Sequence, residues 1–447
     1  MAAIDKSIYE EIVIESADGT KTVDISRGAL QIRYFEDIFS PNITASIIVV
    51  NTGDTVEGPD GKLTTIYNGL PLRGGERVVM KIAGNSDLNK GLDFSKSSLY
   101  WHVKSVTNVM INEQQESFIL NLVPREAITN ETSRVGKKYP ASSSISDSVK
   151  DIVKKYLKTQ KEVTCDKTQN PYGFIGNLRK PFTVLMWLAS KSVPGTVSGE
   201  DATAGYFFYE TQDGYNFKSI DQLIEDEPYE NEYEYSSGVV ANEPDNDFKI
   251  LQFQASKNQD LMQQLKRGAY CSHRIYFNPL NFTYTNPEKG LFKLENYAGK
   301  TKNMGGEITL PSLSENDDQT LGDIPSRNIT AVMDIGTMEK VPKITKDDIE
   351  SKPKNADPSK IHSQSMMRYN LLMTHTATML IPLNTNLRAG GLIKCKFPKI
   401  DLEKRADVSE DQSGSYMIKE LCHQFDTEGS YTKLTLFRDT LGRKAKW

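Results

Sequence analysis

No stretch of the sequence approaches the roughly 20 consecutive apolar residues that a membrane-spanning helix needs. Residues 1–5 carry neither a basic segment nor an apolar run, so we expect no secretory signal peptide. The chain also lacks an excess of positive charge. The 447 residues include 54 Lys and Arg against 59 Asp and Glu, a formal net charge of −5, which excludes a polybasic nucleic-acid-binding protein. The four cysteines form no CxxC pair, which indicates a soluble protein assembled in a reducing cytosol without a disulfide framework.

The chain also lacks the motifs of the common enzyme classes. It contains no HExxH, no GxSxG nucleophile elbow, no GxxxxGK[ST] phosphate loop and no GxGxxG after a strand. No pair of its five histidines stands at a metal-ligand spacing with a carboxylate, and we interpret His102 and His423 as structural residues of strands. We therefore expect no catalytic residues, no metal and no cofactor.

Three features admit a chemical interpretation, and in each case we favour a structural one. Residues 225–234 carry six acids and no base. A glycosidase pair would need a carboxyl with a raised pKa in an apolar cleft, so we interpret this segment as a solvated connection or docking surface. Cys165 has basic neighbours, but nothing in the sequence lowers the pKa of its thiol. The glycine pairs at 74–75 and 390–391 precede predicted strands and are typical of turns rather than phosphate sites.

The hydrophobic pattern predicts a β-rich α+β fold, in which two related β-barrel domains flank a small α+β domain and a loop-rich insertion is added. Alternating and β-branched runs mark the strands of both ends of the chain. The predicted bounds are 1–133 for the first barrel, 134–240 for the α+β domain, 241–277 and 360–447 for the second barrel, and 278–359 for the insertion.

Between the predicted barrels the pattern changes to helices. Serines 142–144 can cap a helix that runs through Leu157, and a second helix is expected over 181–192 with Pro181 in its first turn. Asp213 and Gly214 predict a hairpin between two flanking strands. Residues 362–379 begin with helical spacing, and the threonines near their end favour a strand there.

The most informative feature is an internal echo. Residues 72–82 (LRGGERVVMKI) align with residues 387–397 (LRAGGLIKCKF) at an offset of 315, which is 387 minus 72. At the same offset 103–106 (VKSV) meets 418–421 (IKEL), and a shift of one residue pairs 120–122 (LNL) with 434–436 (LTL). Turn and strand positions stay aligned at a nearly constant offset, which favours a duplicated barrel over a coincidence between two generic hairpins.

The middle of the chain resembles a known family. The segments PFTVLMWLA (181–189) and GYFFYE (205–210) are followed by GYNF, IDQLI and an acidic EP at 227–228. This succession resembles the middle region of the central hub protein of T-even-type contractile phage baseplates, and the same order occurs in the hub part of type VI secretion spike proteins. The ending, with LRAGG at 387–391, GSYMI at 414–418 and YTKLTL at 431–436, is similar to the last tube domain of that family.

The resemblance implies a structural subunit rather than an enzyme. Hubs of this family are homotrimers whose subunits each carry two tube-type β-barrels, so six similar barrels let a threefold spike meet a sixfold tail tube. The implied partners are the tail spike protein, tail tube proteins, baseplate wedge proteins and viral DNA, which passes the channel without sequence-specific binding. The implied location is the tail baseplate of the virion, after assembly in the host cytoplasm. The sequence ends at Trp447 without a spike extension, so we expect the spike to be a separate polypeptide.

The contact residues are expected on the barrel strands 77–82 and 392–397, for the ring, and on the hairpins 100–122 and 416–436, for partners. The acidic balance of the chain suits a DNA conduit. Basic residues on these strands have two interpretations, a nucleic-acid path or a solvated sheet face, and we favour the second. The predicted interface residues are Arg77, Val79, Lys81, Leu392, Lys394, Lys396, Tyr416 and Ile418.

Two other functions stay open at this point. A receptor- or glycan-binding tail-tip protein would use exposed aromatic clusters, for which Tyr229, Tyr233 and Tyr235 are candidates. A tail-associated cell-wall hydrolase would need a cleft with a poised glutamate or a metal, and the sequence offers no set of residues for one.

Overall fold

The computed structural model describes fourteen stretches of the chain. They are residues 2–52, 55–58, 61–70, 72–195, 203–235, 246–257, 260–279, 282–284, 290–293, 304–305, 310–312, 319–334, 358–399 and 408–440.

The N-terminal part is built of strands with one short helix. Its elements are β1 (Ile8–Glu15), β2 (Thr22–Asp24), β3 (Ala29–Asp37), β4 (Thr44–Asn51), β5 (Val56–Glu57), β6 (Leu63–Thr64), α1 (Ile66–Gly69), β7 (Arg77–Ala83), β8 (Gly91–Phe94), a 3₁₀ turn (Ser97–Leu99), β9 (Trp101–Ile111) and β10 (Glu116–Pro124).

The middle part mixes helices and short strands. Its elements are α2 (Arg125–Thr132), β11 (Lys138–Tyr139), α3 (Ile145–Ile152) with a π-helical turn (Val153–Leu157), β12 (Val163–Cys165), β13 (Phe174–Ile175), α4 (Pro181–Ala189), β14 (Tyr206–Thr211), β15 (Gly214–Ser219) and α5 (Ile220–Glu225).

The C-terminal part returns to strands and contains the insertion. Its described elements are β16 (Glu232–Tyr235), β17 (Lys249–Ile250), β18 (Gln252–Lys257), α6 (Leu261–Arg267), β19 (Cys271–Asn278), β20 (Thr283–Tyr284), β21 (Leu291–Lys293), β22 (Arg327–Val332), α7 (Pro358–Leu372), β23 (His375–Pro382), β24 (Leu392–Lys396), β25 (Gly414–Asp426) and β26 (Ser430–Arg438).

Two groups of strands have the same neighbour order. In the first, β3, β4, β10, β9, β7 and β1 pair in succession, and β2, which leads into β3, pairs with β1. In the second, β18, β23, β26, β25, β24 and β16 pair in succession, and β17, which leads into β18, pairs with β16. In each group the last paired strand thus leads directly into the first, which is the strand order of a barrel. One continuous cluster of buried apolar side chains fills both groups.

The strands form because apolar residues alternate with polar ones at the period of a half-buried sheet. In β4 every second residue is buried, from Ala45 through Ile47 to Val49, and β23 repeats the pattern with Ala377, Met379 and Ile381. Their β-branched residues suit the pleated surface. This confirms the β-rich fold class, with two related barrels, that the sequence predicts.

The two barrels share a backbone irregularity at the echo offset. Between β9 and β10 the register passes from Ser105↔Asn121 to Val103↔Leu122, so Lys104 is left unmatched as a bulge. Between β25 and β26 it passes from Glu420↔Thr435 to Ile418↔Leu436, which leaves Lys419 unmatched. Lys419 stands 315 residues after Lys104, the offset of the echo.

The turns before β7 and β24 are also bonded in the same way. In each barrel two backbone hydrogen bonds of 2.8–2.9 Å join the turn to the next long strand. The positive φ of Gly74, Gly75 and Gly390 explains the glycines there by backbone geometry, since L side chains rarely adopt it. The donor–acceptor pairs are Gly75–Val103 and Val103–Glu76 in the first barrel, and Gly390–Ile418 and Ile418–Gly391 in the second.

The α+β part confirms the helices and hairpin predicted from the sequence. Ser144 caps α3 by accepting a hydrogen bond from the amide of Asp147, and α4 begins at Pro181. The hairpin β14–β15 turns at Gln212 and Asp213, and β15 begins at Gly214, where φ is +128° and a Cβ would lie 2.4 Å from the carbonyl oxygen of Glu162. The segment 362–379 divides into the end of α7 and the start of β23, as its threonines indicate.

Three sequence expectations need correction or completion. Residues 225–234 are not only a solvated connection, because Glu232–Tyr235 pairs with β24 inside the second barrel. Tyr233 is only 1% exposed, and Asn384 donates a hydrogen bond to its hydroxyl, so it belongs to the core and not to an exposed aromatic cluster. A separate small sheet of β19 to β22 begins at Cys271, before the expected start of the insertion at 278, and none of its strands was predicted. In the described part of the chain, no helix has the length and apolar character to cross a membrane.

Candidate functional site

The two barrels are joined edge to edge by β3 and β25. These strands pair antiparallel from Asp37↔Glu420 to Gln31↔Asp426, which makes the two barrels parts of one sheet. At the middle of the ladder the ring of His423 stacks on that of Tyr34, with centroids 5.9 Å apart and planes 9° apart. Burial lowers the pKa of His423 to about 3, so it is neutral at pH 7 and acts as a packing residue, as predicted.

Glu36 of β3 connects three parts of the chain from a fully buried position. Its Oε1 accepts hydrogen bonds from the Tyr34 hydroxyl at 2.8 Å and from the amide of Gln212, in the β14–β15 turn, at 2.7 Å. Its Oε2 accepts from the amide of Ala389, before β24, at 2.9 Å. One carboxylate therefore holds the α+β part and the second barrel against the first barrel.

Burial raises the pKa of the Glu36 carboxyl above its ordinary value, and the nearby charge of Arg388 and the donated hydrogen bonds offset only part of that effect. Arg388 itself is fixed by Asp213, with Nε–Oδ2 2.6 Å and Nη2–Oδ1 3.2 Å. This bidentate pair joins the β14–β15 turn to the segment before β24 a second time.

A second buried carboxylate ties the α+β part to the loop before β4. Glu210 of β14 accepts a hydrogen bond from the amide of Ile43 at 3.1 Å and lies 2.5 Å from Lys161 Nζ. The same ammonium lies 3.3 Å from Glu126. Two carboxylates thus share one cation. Burial raises the pKa of Glu210 to about 6, Lys161 opposes the rise, and repulsion by Glu126 adds to it.

A crevice of about 370 Å³ lies between the β14–β15 hairpin, α5 and the segment before β24. Four of its five charged side chains form ion pairs, because Arg388 pairs with Asp213 and Lys218 lies 3.2 Å from Asp226, and the fifth, Glu227, is exposed. Within the described ranges, no group of three or more His, Cys, Asp or Glu could hold a metal ion. All four cysteines are free, and burial raises the pKa of Cys165 to about 12, which makes it a poor nucleophile at pH 7.

The structure places the predicted interface residues in two separate groups, one on β7 and one on β24 and β25, and three of their four charged side chains form ion pairs with a glutamate of a neighbouring strand. Arg77 lies 3.5 Å from Glu15, Lys81 lies 2.8 Å from Glu10, and Lys396 pairs with Glu232. Val79 and Lys394 are half-buried, whereas Leu392, Tyr416 and Ile418 pack inside the second barrel or against it. Contact of this set with a partner stays a prediction.

Sequence reasoning missed Glu36 and Glu210, the two carboxylates that hold the parts together. A signal for Glu36 was present, because Ile32, Tyr34 and Glu36 alternate along β3 and all three point inward. A charged residue at a core position of a strand indicates a buried polar contact. No comparable signal names the partners, which lie 176 and 353 residues away for Gln212 and Ala389.

The fold occurs in solved structures of tail proteins, one of them from a prophage. The 43 kDa tail protein of prophage MuSo2 from Shewanella oneidensis aligns over 96% of this chain and 98% of its own, with a TM-score of 0.51 and 10% identity. The tail protein of Neisseria meningitidis MC58 aligns over 96% of both chains, with a TM-score of 0.51 and 10% identity. The chain therefore has the fold of these tail proteins.

The chain is less similar to a type VI secretion protein. The E. coli c3393 protein, a component of the type VI secretion system, aligns over 94% of this chain and 76% of its own, with a TM-score of 0.40 and 8% identity. No protein-family model matches the chain. No curated protein matches it either.

Removal of the Glu36 carboxylate tests its role as the connection. Glu36→Ala leaves two amides and one hydroxyl without their acceptor, so we expect the free energy of unfolding to fall by about 3 kcal/mol or more. The urea midpoint reports the loss, and faster hydrogen exchange at Gln212 and Ala389 locates it. Glu10→Ala, which removes an exposed ion pair, should change stability by less than about 1 kcal/mol. Equal effects of the two variants would contradict the assignment.

The shared cation at Glu210 predicts a pH dependence of defined sign. The folded pKa of about 6 exceeds the ordinary 4.5, so Glu210 stabilises the fold most below pH 4.5 and loses that contribution as pH rises through 6. The difference amounts to about 2 kcal/mol. Between pH 4.5 and 7, the wild type should lose about this much stability relative to Glu210→Gln, measured by urea unfolding at each pH. Parallel pH profiles of the two proteins would show that the Glu210 pKa is not raised.

Proposed function

We propose that this chain is a structural hub subunit of a contractile phage tail baseplate, and that three copies form a ring of pseudo-sixfold symmetry. The observation that carries the proposal is the duplicated barrel, with equal strand order and a bulge at Lys104 and again at Lys419. A likeness in fold to two tail proteins, one of them from a prophage, supports the same conclusion.

A difference in symmetry between the expected partners explains why the barrel is duplicated. A ring that joins a sixfold tube to a threefold spike must offer six similar edges on one side and three on the other. Three chains with two barrels each meet both demands. In this proposal the domains follow the bounds predicted from the sequence, except that Glu232–Tyr235 belongs to the second barrel and Cys271–Asn278 to the sheet of the insertion. The spike, tube and wedge proteins bind the ring, and viral DNA passes through it in the tail baseplate of the virion.

The proposal assigns no catalytic step to the chain. Four of the five charged side chains of the crevice form ion pairs, and none of its three carboxylates is buried, as a glycosidase acid in an apolar pocket would be. A receptor-binding function loses one of its supports, because Tyr233 is a core residue. Arg77 and Lys396, which are exposed, and Lys81, which is half-buried, remain our candidates for contacts around the ring.

The native mass of the purified chain tests the proposal. We expect light scattering on a sizing column to give a species near 150.6 kDa, three times the 50.2 kDa of one chain. A dilution series provides the control, because a specific trimer keeps its mass until the concentration falls below its dissociation constant. A monomer at every concentration, or an open series of larger species, would contradict a closed trimer.

A further inference from the structure

Both edges of β25 are used within one chain. One edge pairs with β26 along most of the strand. The other edge pairs with β24 through Gly414–Met417 and then with β3 through Glu420–Asp426. As a result Leu421, His423 and Phe425 are fully buried.

The equivalent strand of the first barrel has one half-edge without a strand partner. β9 pairs with β10 along one edge, and on the other it pairs with β7 only at Trp101 and His102. In the part of the chain that the structure describes, no strand pairs with the remainder of this edge, residues 105–111. Its end is apolar and exposed: Met110 and Ile111 are 67% and 60% accessible. The position that β3 covers in the second barrel is therefore open in the first.

The strand that would complete this edge can be named from the neighbour order. β3 lies beside β4 in the first barrel as β18 lies beside β23 in the second, and the registers agree, with Ile32↔Ile47 matching Phe253↔Met379. Over the described ranges β18 has only β23 as a strand partner, and Gln252 and Gln254 on it are exposed. Within one chain, β18 and the open edge of β9 belong to different barrels.

We propose that β18 of a second copy pairs antiparallel with residues 105–111 of β9, as β3 pairs with β25 within the chain. The proposal rests on the homotrimeric ring proposed above, and it names the strands that form the joint between subunits. Three such joints alternate with three β3–β25 joints and close the ring head to tail. Each joint would cover an apolar strand edge that is otherwise a template for aggregation.

The residues that face each other across the proposed joint can be derived from the β3–β25 pairing, after a correction for one extra residue in β9. Asn108 has a positive φ of +53°, and the pairing of β9 with β10 passes from Thr107↔Ile119 to Met110↔Ser117, so β9 contains one more residue than β25 before its end. Met110 is then equivalent to Gln424, which lies opposite Arg33. Arg33 of β3 is equivalent to Gln254 of β18, because Arg33 lies opposite Ser46 of β4 and Gln254 lies opposite Thr378 of β23. The expected neighbours are Met110 and Gln254 of the second copy.

A cysteine pair tests this register. In the double variant Met110→Cys, Gln254→Cys, oxidation should link chains into covalent dimers and trimers, because directly opposed residues of paired strands lie within disulfide reach. The two single variants, mixed, should give dimers only, which shows that the link joins different chains. The matched control is Met110→Cys with Ala255→Cys, where the second thiol points to the opposite face of the strand. Its yield should be at least tenfold lower.

A charge variant gives an independent readout that does not depend on oxidation. Met110→Glu places a carboxylate in the joint and should raise the concentration at which trimers dissociate at least tenfold. Met262→Glu, at a methionine of α6 that is 63% exposed, is the control and should leave the trimer unchanged.

The outcomes separate the joint from the proposed function. A 150.6 kDa trimer that neither cross-links at the predicted pair nor responds to Met110→Glu would overturn the strand pairing and leave the hub proposal standing. A chain that stays monomeric would overturn both. Cross-linking above both controls, together with weakened trimers in Met110→Glu, would support the joint.

Discussion

The pairing of β3 with β25 is the constraint on which the rest of the structure depends. A strand edge presents a row of backbone donors and acceptors, and leaving them unpaired in contact with protein costs free energy. Because the ladder from Asp37↔Glu420 to Gln31↔Asp426 satisfies this edge, the two barrels are held as one sheet with a defined offset between them. A duplicated barrel becomes a repeating unit only when such a joint fixes the relation of one copy to the next.

Buried carboxylates extend this joint to the α+β part. Glu36 lies on the joining strand and accepts hydrogen bonds from Gln212 and Ala389, so the ladder and the attachment of the third part share one residue. Glu210 secures the loop before β4 in the same way through Ile43. Both carboxylates have raised pKa values, because burial costs more than their partners return. The polar contacts therefore specify how the parts dock, while the apolar core supplies most of the stability.

The sequence predicts local structure well here and distant contacts poorly. Alternation locates most barrel strands, the echo identifies the duplication, and Ser144 and Pro181 locate two helix starts, because these signals lie within a few residues of one another. The β3–β25 ladder joins strands almost four hundred residues apart, at Asp37 and Glu420, and no local pattern encodes that choice of partner. Tyr233 is a related case. The acidic residues around it do not have the pattern of a strand, and the short strand forms there by pairing with β24 of the second barrel.

Single-particle images of the purified protein test the central claim, that the two barrels of one chain are equivalent units of a ring, most directly. The account predicts a ring of six lobes at one radius, spaced about 60° apart, in which threefold averaging reveals the α+β part attached beside three joints and absent from the three between them. A ring of three lobes, or two barrels at clearly different radii, would contradict it, because the duplicated barrel would then not repeat around the axis.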